Sequence, residues 1–338
     1  MKGIILCAGK GTRMQPFTFS SPKTLLPVAN EAILDHCLRS LKQAGIHDIG
    51  VVLNPEQTSI VDHLLGKHPQ TSFTFIRQTE PLGIAHALSA AEFFIRDDPF
   101  VLLLGDILIT EPLTVLLEAF KEKQGAVMLS KVDHPQDYGV AVVNGNRIIQ
   151  LEEKPAEPKS ELAVAGAYVF DKKIFKAIEK ISISHKGEYE ITSAIQWMIG
   201  NGDSIGYALT KERFFDVGTP DRLLEANRFI LRYSQGTENE IDPLAVMENC
   251  TVIPPVKIGT DCILKNVVIG PFVSVCMGST LSDCSIENSI CMEGTIIRSP
   301  GIPVTCSIFG RYSRLEGRSD VNRMICVLGD KSTAMVVE

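Results

Sequence analysis

The chain has 338 residues, 45% of them hydrophobic, and a formal net charge of −7. That is enough for one large or two ordinary domains with full cores, and the acidic balance argues against a nucleic-acid partner. No run of eighteen apolar residues argues for a membrane span, and the strand-like start leads straight into a loop, unlike a signal peptide, so a cytoplasmic location is expected.

The apolar run Gly3 to Cys7 reads as a buried strand that breaks into Ala8-Gly9-Lys10-Gly11-Thr12-Arg13. Two glycines there permit a tight turn and close approach of a ligand to backbone N–H groups. The spacing fits neither a Walker A loop, since Gly11 follows the lysine, nor a dinucleotide fingerprint, since Met14 stands where a third glycine is required. Four cations, with Arg13 and Lys23 among them, precede the first acid, Glu31. In an acidic protein this suits a polyanionic ligand.

Ile33, Leu34, Cys37, Leu38 and Leu41 recur at helical spacing, and Gly45 is placed to stop that helix. Ile49 to Leu53 then reads as a strand, Ile60 to Leu65 as part of a helix, and Phe73 to Ile76 as the next strand. A single helix is expected over 83–95, followed by the buried strand Phe100 to Leu104, which ends at Gly105-Asp106. This alternation predicts an α/β fold with a mostly parallel, Rossmann-like sheet, with ligands beyond the carboxyl ends of its strands.

Phe214-Phe-Asp216-Val-Gly218 is a second short strand ending in an aspartate, ahead of a helix near Thr219. Two carboxylates delivered from strand ends into an anion cleft make sense around a hard cation, and Mg2+ takes one or two carboxylates plus phosphate oxygens. Gln78, at the end of its strand, offers the donor and acceptor that the imide edge of thymine or uracil requires.

These residues also resemble a family. Ala8-Gly-Lys-Gly-Thr-Arg13-Met with Ser21-Pro-Lys23-Thr-Leu-Leu-Pro-Val28 is similar to the signature of sugar-1-phosphate nucleotidylyltransferases. The run Arg77-Gln78-x-x-Pro81-Leu-Gly83-x-Ala85-His86 and the tail motif Leu328-Gly329-Asp330 resemble long-form glucose-1-phosphate thymidylyltransferases. The resemblance implies that Ala8, Gly9, Gly11, Thr12 and Arg13 wrap a nucleoside triphosphate, and that Gln78 and Gly83 read its base. It implies that Arg13 and Lys23 act on the pyrophosphate, and that Asp106 and Asp216 hold magnesium. It further implies that Gly139, Glu153 and Gly166 bind the sugar and that Lys154 binds its phosphate. Asn30-Glu31-Ala32 departs from the family's usual Asn-Lys-Pro, and Lys10 replaces the second glycine of its usual Gly-Gly pair.

Nucleotidyltransferase residues are thus expected over 1–233, with a polar linker over 234–245. The period then changes. Val252, Ile258 and Leu264 are six apart, as are Ile269, Val275 and Leu281, and Ile290, Ile296, Ile302 and Ile308. Sixes predict a hexapeptide-repeat β-helix over 246–338, of four or five coils with irregular corners, and the resemblance implies the left-handed kind. Seven of nine cysteines fall between Cys250 and Cys326, none in a C-x-x-C pair, and read as reduced, buried thiols.

The expected reaction is transfer of a nucleotidyl group, from dTTP first, to a sugar 1-phosphate, glucose 1-phosphate first. A UTP- or GTP-using enzyme would share the catalytic residues. A bifunctional enzyme would add acyl transfer on the β-helix, where no histidine is available as a base. A non-catalytic homologue would be expected to lose Arg13, Lys23 or an aspartate, and this chain keeps them. Flat coil faces suit self-association into a dimer or trimer.

Overall fold

The computed structural model describes residues 1–235, 238–298, 301, 303–317 and 323–336. In chain order the first elements are β1 (Lys2–Leu6), β2 (Pro27–Val28), β3 (Glu31–Ala32), α1 (Ile33–Gln43), β4 (Asp48–Leu53), α2 (Thr58–Lys67) and β5 (Ser72–Arg77). There follow α3 (Ile84–Ser89), α4 (Glu92–Ile95), β6 (Phe100–Leu104), β7 (Ile107–Leu108), α5 (Leu113–Phe120), β8 (Gly125–Lys131), β9 (Gly139–Asn144) and β10 (Arg147–Glu153). Then come β11 (Leu162–Phe170), α6 (Lys173–Ile178), α7 (Ile191–Gly200), β12 (Ile205–Leu209), β13 (Phe215–Asp216) and α8 (Pro220–Gln235), ahead of a long series of short strands. Among the described residues no helix is long and apolar enough to cross a membrane.

The chain forms two compact units: Met1–Gly9 with Leu34–Asp216, and Lys10–Ile33 with Val217–Glu338. The first is built on one sheet, in which β5, β4, β1 and β6 run parallel. These strands are near-continuous apolar runs because both faces are covered: Ile4, Ile5, Val51, Val52, Leu102 and Val101 are fully buried. Beyond β6 the sheet turns antiparallel, through β11 to β9 and β10, while β12 pairs parallel with β8. Gly45 stops the helix preceding β4 with φ +76, as its position predicts.

The helix expected over 83–95 is instead two helices, α3 and α4. The Ser89 hydroxyl donates to the His86 carbonyl at 2.8 Å, while the Ala90 N–H reaches that carbonyl only at 3.4 Å. A serine that competes for its own helix's carbonyls weakens the ladder there.

Helices α1 and α2 are pinned by a buried charge. Asp35 accepts hydrogen bonds from Lys67 Nζ at 2.7 Å, His63 Nε2 at 2.9 Å and His68 Nε2 at 3.0 Å. Burial pushes its pKa up, but these donors together hold it well below the usual carboxylate range.

In the second unit the later strands form a parallel β-helix. One face stacks Val246–Glu248, Ile263–Ile269, Thr280–Glu287, Ile296–Arg298, Arg314–Gly317 and Thr333–Val336, six strands deep where four or five coils were expected. Ile263 pairs with Thr280, Thr280 with Ile296, Ile296 with Arg314 and Arg314 with Thr333. Those steps are 17, 16, 18 and 19 residues, which is why runs of six drift out of phase. The first of the stacked strands on a second face, Glu240–Ile241, pairs with Lys257 and Ile258 and falls within the stretch read as a linker.

The interior holds Ile258, Leu264, Ile269, Val275 and Leu281, as the sixes predict. In the last run the inward residues are Cys291 and Ile297, one position on from Ile290 and Ile296, and Ile302 lies outside the described residues. Cys262, Cys284 and Cys291 are buried as expected, whereas Cys250, Cys276, Cys306 and Cys326 are only half-buried. Burial pushes the Cys284 thiol up to about 12, so it stays neutral.

Candidate active site

The first unit gathers its polar residues beyond the carboxyl ends of β1, β5 and β6. The chain leaves β1 through Cys7, whose N–H donates to Val52 O at 2.8 Å, and Ala8 and Gly9 follow. Gln57 Nε2 donates to the Gly9 carbonyl at 3.3 Å and fixes the start of the glycine loop. Next to it the chain leaves β6 through Gly105, whose N–H donates to Leu6 O at 2.9 Å. A Cβ there would lie 2.8 Å from both Cys7 Sγ and Leu6 O, so glycine is what lets the two strand ends close up.

Asp106 follows immediately, and β7 carries the chain into an antiparallel pair with β13. Asp216 stands opposite Ile107, and both aspartates are half-buried. Two aspartates at neighbouring backbone positions of a strand end supply the donor type suited to a hard divalent cation that takes its remaining ligands from phosphate and water. Among the described residues no group of three or more His, Cys, Asp or Glu side chains is arranged to hold a metal ion on its own.

The residues expected to meet the sugar adjoin this pair. Gly166 interrupts the β11–β8 register at φ +77, and a Cβ on it would lie 2.2 Å from Ile107 Cδ1. Gly139 and Glu153 are partners across β9 and β10. Glu153 Oε2 accepts a hydrogen bond from the Thr192 hydroxyl at 3.0 Å. Burial pushes the Glu153 pKa up, the Thr192 hydrogen bond opposes it, and the charge of Glu190 adds to the rise. Lys154 adopts φ +44, an uncommon conformation for a side-chain residue, and its N–H donates to Tyr138 O at 3.0 Å. Tyr138 in turn sets its ring edge-on against Phe214, at 5.4 Å between centroids, two residues before Asp216.

The residues expected to read the base form a third group. Gln78 is 6% exposed, and its Nε2 donates to the Gly83 carbonyl at 3.3 Å and to His86 Nδ1 at 3.1 Å. Both amide protons are thereby used, and Oε1 is the atom left to accept from a ligand. Gly83 has φ +98, and a Cβ there would meet Tyr189 O at 2.8 Å. Two backbone bonds, Tyr189 N–H to Leu82 O at 2.7 Å and Ala85 N–H to Tyr189 O at 3.0 Å, dock this loop on the segment that starts α7. That segment also supplies Thr192 to Glu153, so it links base side to sugar side.

Sequence reasoning missed His86, Thr192 and Tyr189 as partners of site residues. His86 stood in the quoted run, but nothing in its spacing pairs it with Gln78.

Gly11, Thr12, Arg13 and Lys23 belong to the second unit. Thr12 and Arg13 are exposed on a short 3-10 turn, Thr12–Met14. Gly11, at φ +63, has its Cα position backed by Lys23: a Cβ would lie 3.1 Å from Lys23 Cβ. Thr18 Oγ1 donates to the Gly11 carbonyl at 2.8 Å and closes the loop.

A mixed sheet with a parallel core and with acids and amides at its strand ends, followed by a parallel β-helix, defines a nucleotide-handling α/β enzyme of the long, two-part kind. More specifically, the chain belongs to the nucleotidyl transferase family, whose model matches residues 2–233. It is 36% identical to the low-salt glycan biosynthesis nucleotidyltransferase Agl11 of Haloferax volcanii, over 95% of each chain. It is 33% identical to a glucose-1-phosphate thymidylyltransferase of Streptomyces griseus, over 99% of each chain. The structure of a putative glucose-1-phosphate thymidylyltransferase from Bacillus anthracis aligns with a TM-score of 0.63 at 37% identity, over 68% of this chain and 94% of that one. Enzymes of this family act on a nucleoside triphosphate and a sugar phosphate, and generally use a divalent metal.

Proposed function

We propose that the protein transfers a nucleotidyl group from dTTP to glucose 1-phosphate, releasing pyrophosphate and forming an NDP-sugar. The observation that carries the reading is the pairing of Asp216 with Ile107, which sets it beside Asp106 in the unit that also holds Gln78 and Glu153. Likeness to the Streptomyces griseus enzyme over almost the whole chain supports it.

An oxygen of the sugar phosphate attacks the α-phosphorus in line, and the bond to the pyrophosphate oxygen breaks, so no covalent enzyme intermediate is needed. Catalysis is positioning plus charge neutralisation. Lys154 orients the attacking phosphate, while Glu153 and the backbone at Gly139 and Gly166 hold the sugar. Arg13 and Lys23 take the charge that grows on the departing pyrophosphate, and the backbone of Ala8, Gly9, Gly11 and Thr12 lies along the triphosphate. Asp106 and Asp216 would hold the divalent ion, magnesium by donor type, which when bound neutralises phosphate charge as a Lewis acid. Gln78 Oε1 accepts the N3–H that thymine and uracil share, so UTP is the second nucleotide.

Leu244, Val246 and Ile263 are exposed apolar residues of the β-helix unit, with Val246 and Ile263 paired on one face, and support self-association there as a dimer or trimer. A cytoplasmic location is part of this reading, supported by likeness to biosynthetic enzymes of the same family. Acyl transfer is not proposed, because residues 234–338 contain no histidine to serve as a base.

The test is pyrophosphate release across a matrix of dTTP, UTP, GTP and ATP with several sugar phosphates, alongside light scattering of the purified protein. Highest turnover with dTTP and glucose 1-phosphate is expected. A strong preference for GTP or ATP would overturn the base assignment. Release of CoA from acetyl-CoA with an amino-sugar phosphate would overturn the exclusion of acyl transfer.

A further inference from the structure

The segment that carries Arg13 and Lys23 has little regular structure of its own. It consists of three 3-10 turns, Thr12–Met14, Phe17–Phe19 and Lys23–Leu25, and the two-residue strands β2 and β3. Such a segment cannot fix its own conformation through a backbone ladder, so its shape must be imposed by what it packs on.

It packs on the β-helix. Arg311, at a coil corner, donates from Nη1 to Ser21 Oγ at 3.0 Å and from Nη2 to the Leu25 carbonyl at 3.4 Å. Those two acceptors flank the turn that bears Lys23. Asp330, one coil on, accepts the Ser20 hydroxyl on Oδ2 at 2.7 Å and the Arg311 backbone N–H on Oδ1 at 2.8 Å. Beside it Gly329 leaves room for the ring of Pro16, which a Cβ would approach to 3.1 Å.

The far end of the segment is tied as firmly. Asn30 Nδ2 donates to Val275 O at 2.7 Å. Asn227 Oδ1, on α8, accepts both the Ala29 N–H at 2.8 Å and the Ser274 hydroxyl at 2.9 Å. Asn227 and Ser274 are 1% and 0% exposed, so this is a built junction and not a surface graze. Asn30 is thus used by the β-helix.

We infer that the β-helix of this protein is a positioning element for the phosphate-loop segment, with Arg311 and Asp330 as the residues that set Lys23. This rests on the assignment of Arg13 and Lys23 to the phosphate chain made above. Arginine suits the task because one planar guanidinium spans two acceptors, which a lysine ammonium on a flexible stem does not reproduce. The tail motif Leu328-Gly329-Asp330 and the signature Ser21-Pro-Lys23 are then two sides of one joint.

The experiment uses the full chain and four variants, Arg311→Met, Arg311→Lys, Asp330→Asn and Lys23→Ala, with Arg311→Met also combined with Lys23→Ala. Arg311→Met should lower kcat/KM for the nucleotide about tenfold with the melting temperature nearly unchanged, and Arg311→Lys should recover only part of it. In the Lys23→Ala background Arg311→Met should cost little more, because it acts through Lys23. Hydrogen exchange of the amides from Ser20 to Leu26 should speed up in Arg311→Met and Asp330→Asn. Equal losses in both backgrounds, or unchanged exchange in that stretch, would overturn the inference. If the wild-type protein releases no pyrophosphate from any pair, the proposed function fails, and the exchange measurement alone still decides whether Arg311 and Asp330 fix the segment.

Discussion

Asp216 stands directly across an antiparallel ladder from Ile107, the residue after Asp106, so the backbone brings two acids that are 110 positions apart in the sequence to neighbouring positions of the first unit. Ladder pairing fixes Asp216 against Ile107 through the backbone, and Asp106 is held next to it by chain continuity. Asp106→Asn should keep the fold and lose turnover by about two to four orders of magnitude, since it removes a carboxylate proposed to hold the divalent ion that neutralises the reacting phosphate. Asp216→Asn should behave alike, and the double variant should be far less than additive if one ion is shared. Near-normal magnesium-dependent activity in either single variant would sink the assignment.

If Gln78 reads the base as proposed, base selection depends on which of its atoms it presents. Its two N–H groups are taken by Gly83 O and His86 Nδ1, which turns Oε1 toward a ligand. Cytosine and adenine offer a lone pair where thymine and uracil offer N3–H, so Oε1 should disfavour both electrostatically. His86→Leu removes one acceptor and frees the amide to turn over. The kcat/KM ratio of dTTP to CTP should then fall by about tenfold, the equivalent of roughly 1.4 kcal/mol and within the range of one buried hydrogen bond. His86→Gln, which can still accept, should retain most of the ratio. An unchanged ratio in His86→Leu would detach His86 from base reading.

The strand ends were legible in the sequence because each is an apolar run broken by a glycine or an acid, and that pattern survives without any tertiary knowledge. The β-helix was legible for a similar reason, since Ile258, Leu264, Val275 and Leu281 do point inward. Phase failed at Ile290 and Ile296, where coil length shifts by a residue or two and no local signal marks the change. Nothing in the sequence predicts the bond from Ser20 to Asp330 or from Asn30 to Val275. Both are made by short polar side chains whose partners are set by the stacking of coils, and polar surface residues carry no periodicity to read. The same holds for Thr192 and Glu153.

Gly166 tests how tightly the sugar side is built against the carboxylates. A methyl group there meets Ile107 Cδ1 at 2.2 Å, and φ of +77 is strained for any side-chain residue. Gly166→Ala should cost about 2–5 kcal/mol, from left-handed backbone strain of roughly 1–2 and overpacking of roughly 1–3. Because the clash falls on the residue after Asp106, turnover should drop further than thermal stability alone accounts for. A melting temperature and kcat both within error of wild type would show that the packing around Ile107 is looser than drawn.

If Glu153 holds the sugar as proposed, it should give the enzyme an acid limb. Burial raises its pKa above the ordinary 4.5, the Thr192 hydrogen bond pulls it back, and the neighbouring charge of Glu190 pushes it up again. Only the ionised form can accept two sugar hydroxyls, so kcat/KM for the sugar phosphate should fall on the acid side at a higher pH than an ordinary glutamate gives. The substrate's own phosphate titrates as well, but it is common to every variant. Thr192→Val removes a donor to the ionised form and should move the limb upward, while Glu190→Gln removes a like charge and should move it downward. The stability consequence has the opposite sense from a salt-bridged acid. A carboxyl with a raised folded pKa favours folding below its unfolded pKa, and that contribution is lost as pH rises through the folded value. Glu153→Gln should therefore raise the melting temperature at neutral pH while lowering kcat/KM for the sugar phosphate by about one to two orders of magnitude, a trade of stability against function. Acid limbs that coincide in wild type, Thr192→Val and Glu190→Gln would remove Glu153 from the reaction's pH dependence.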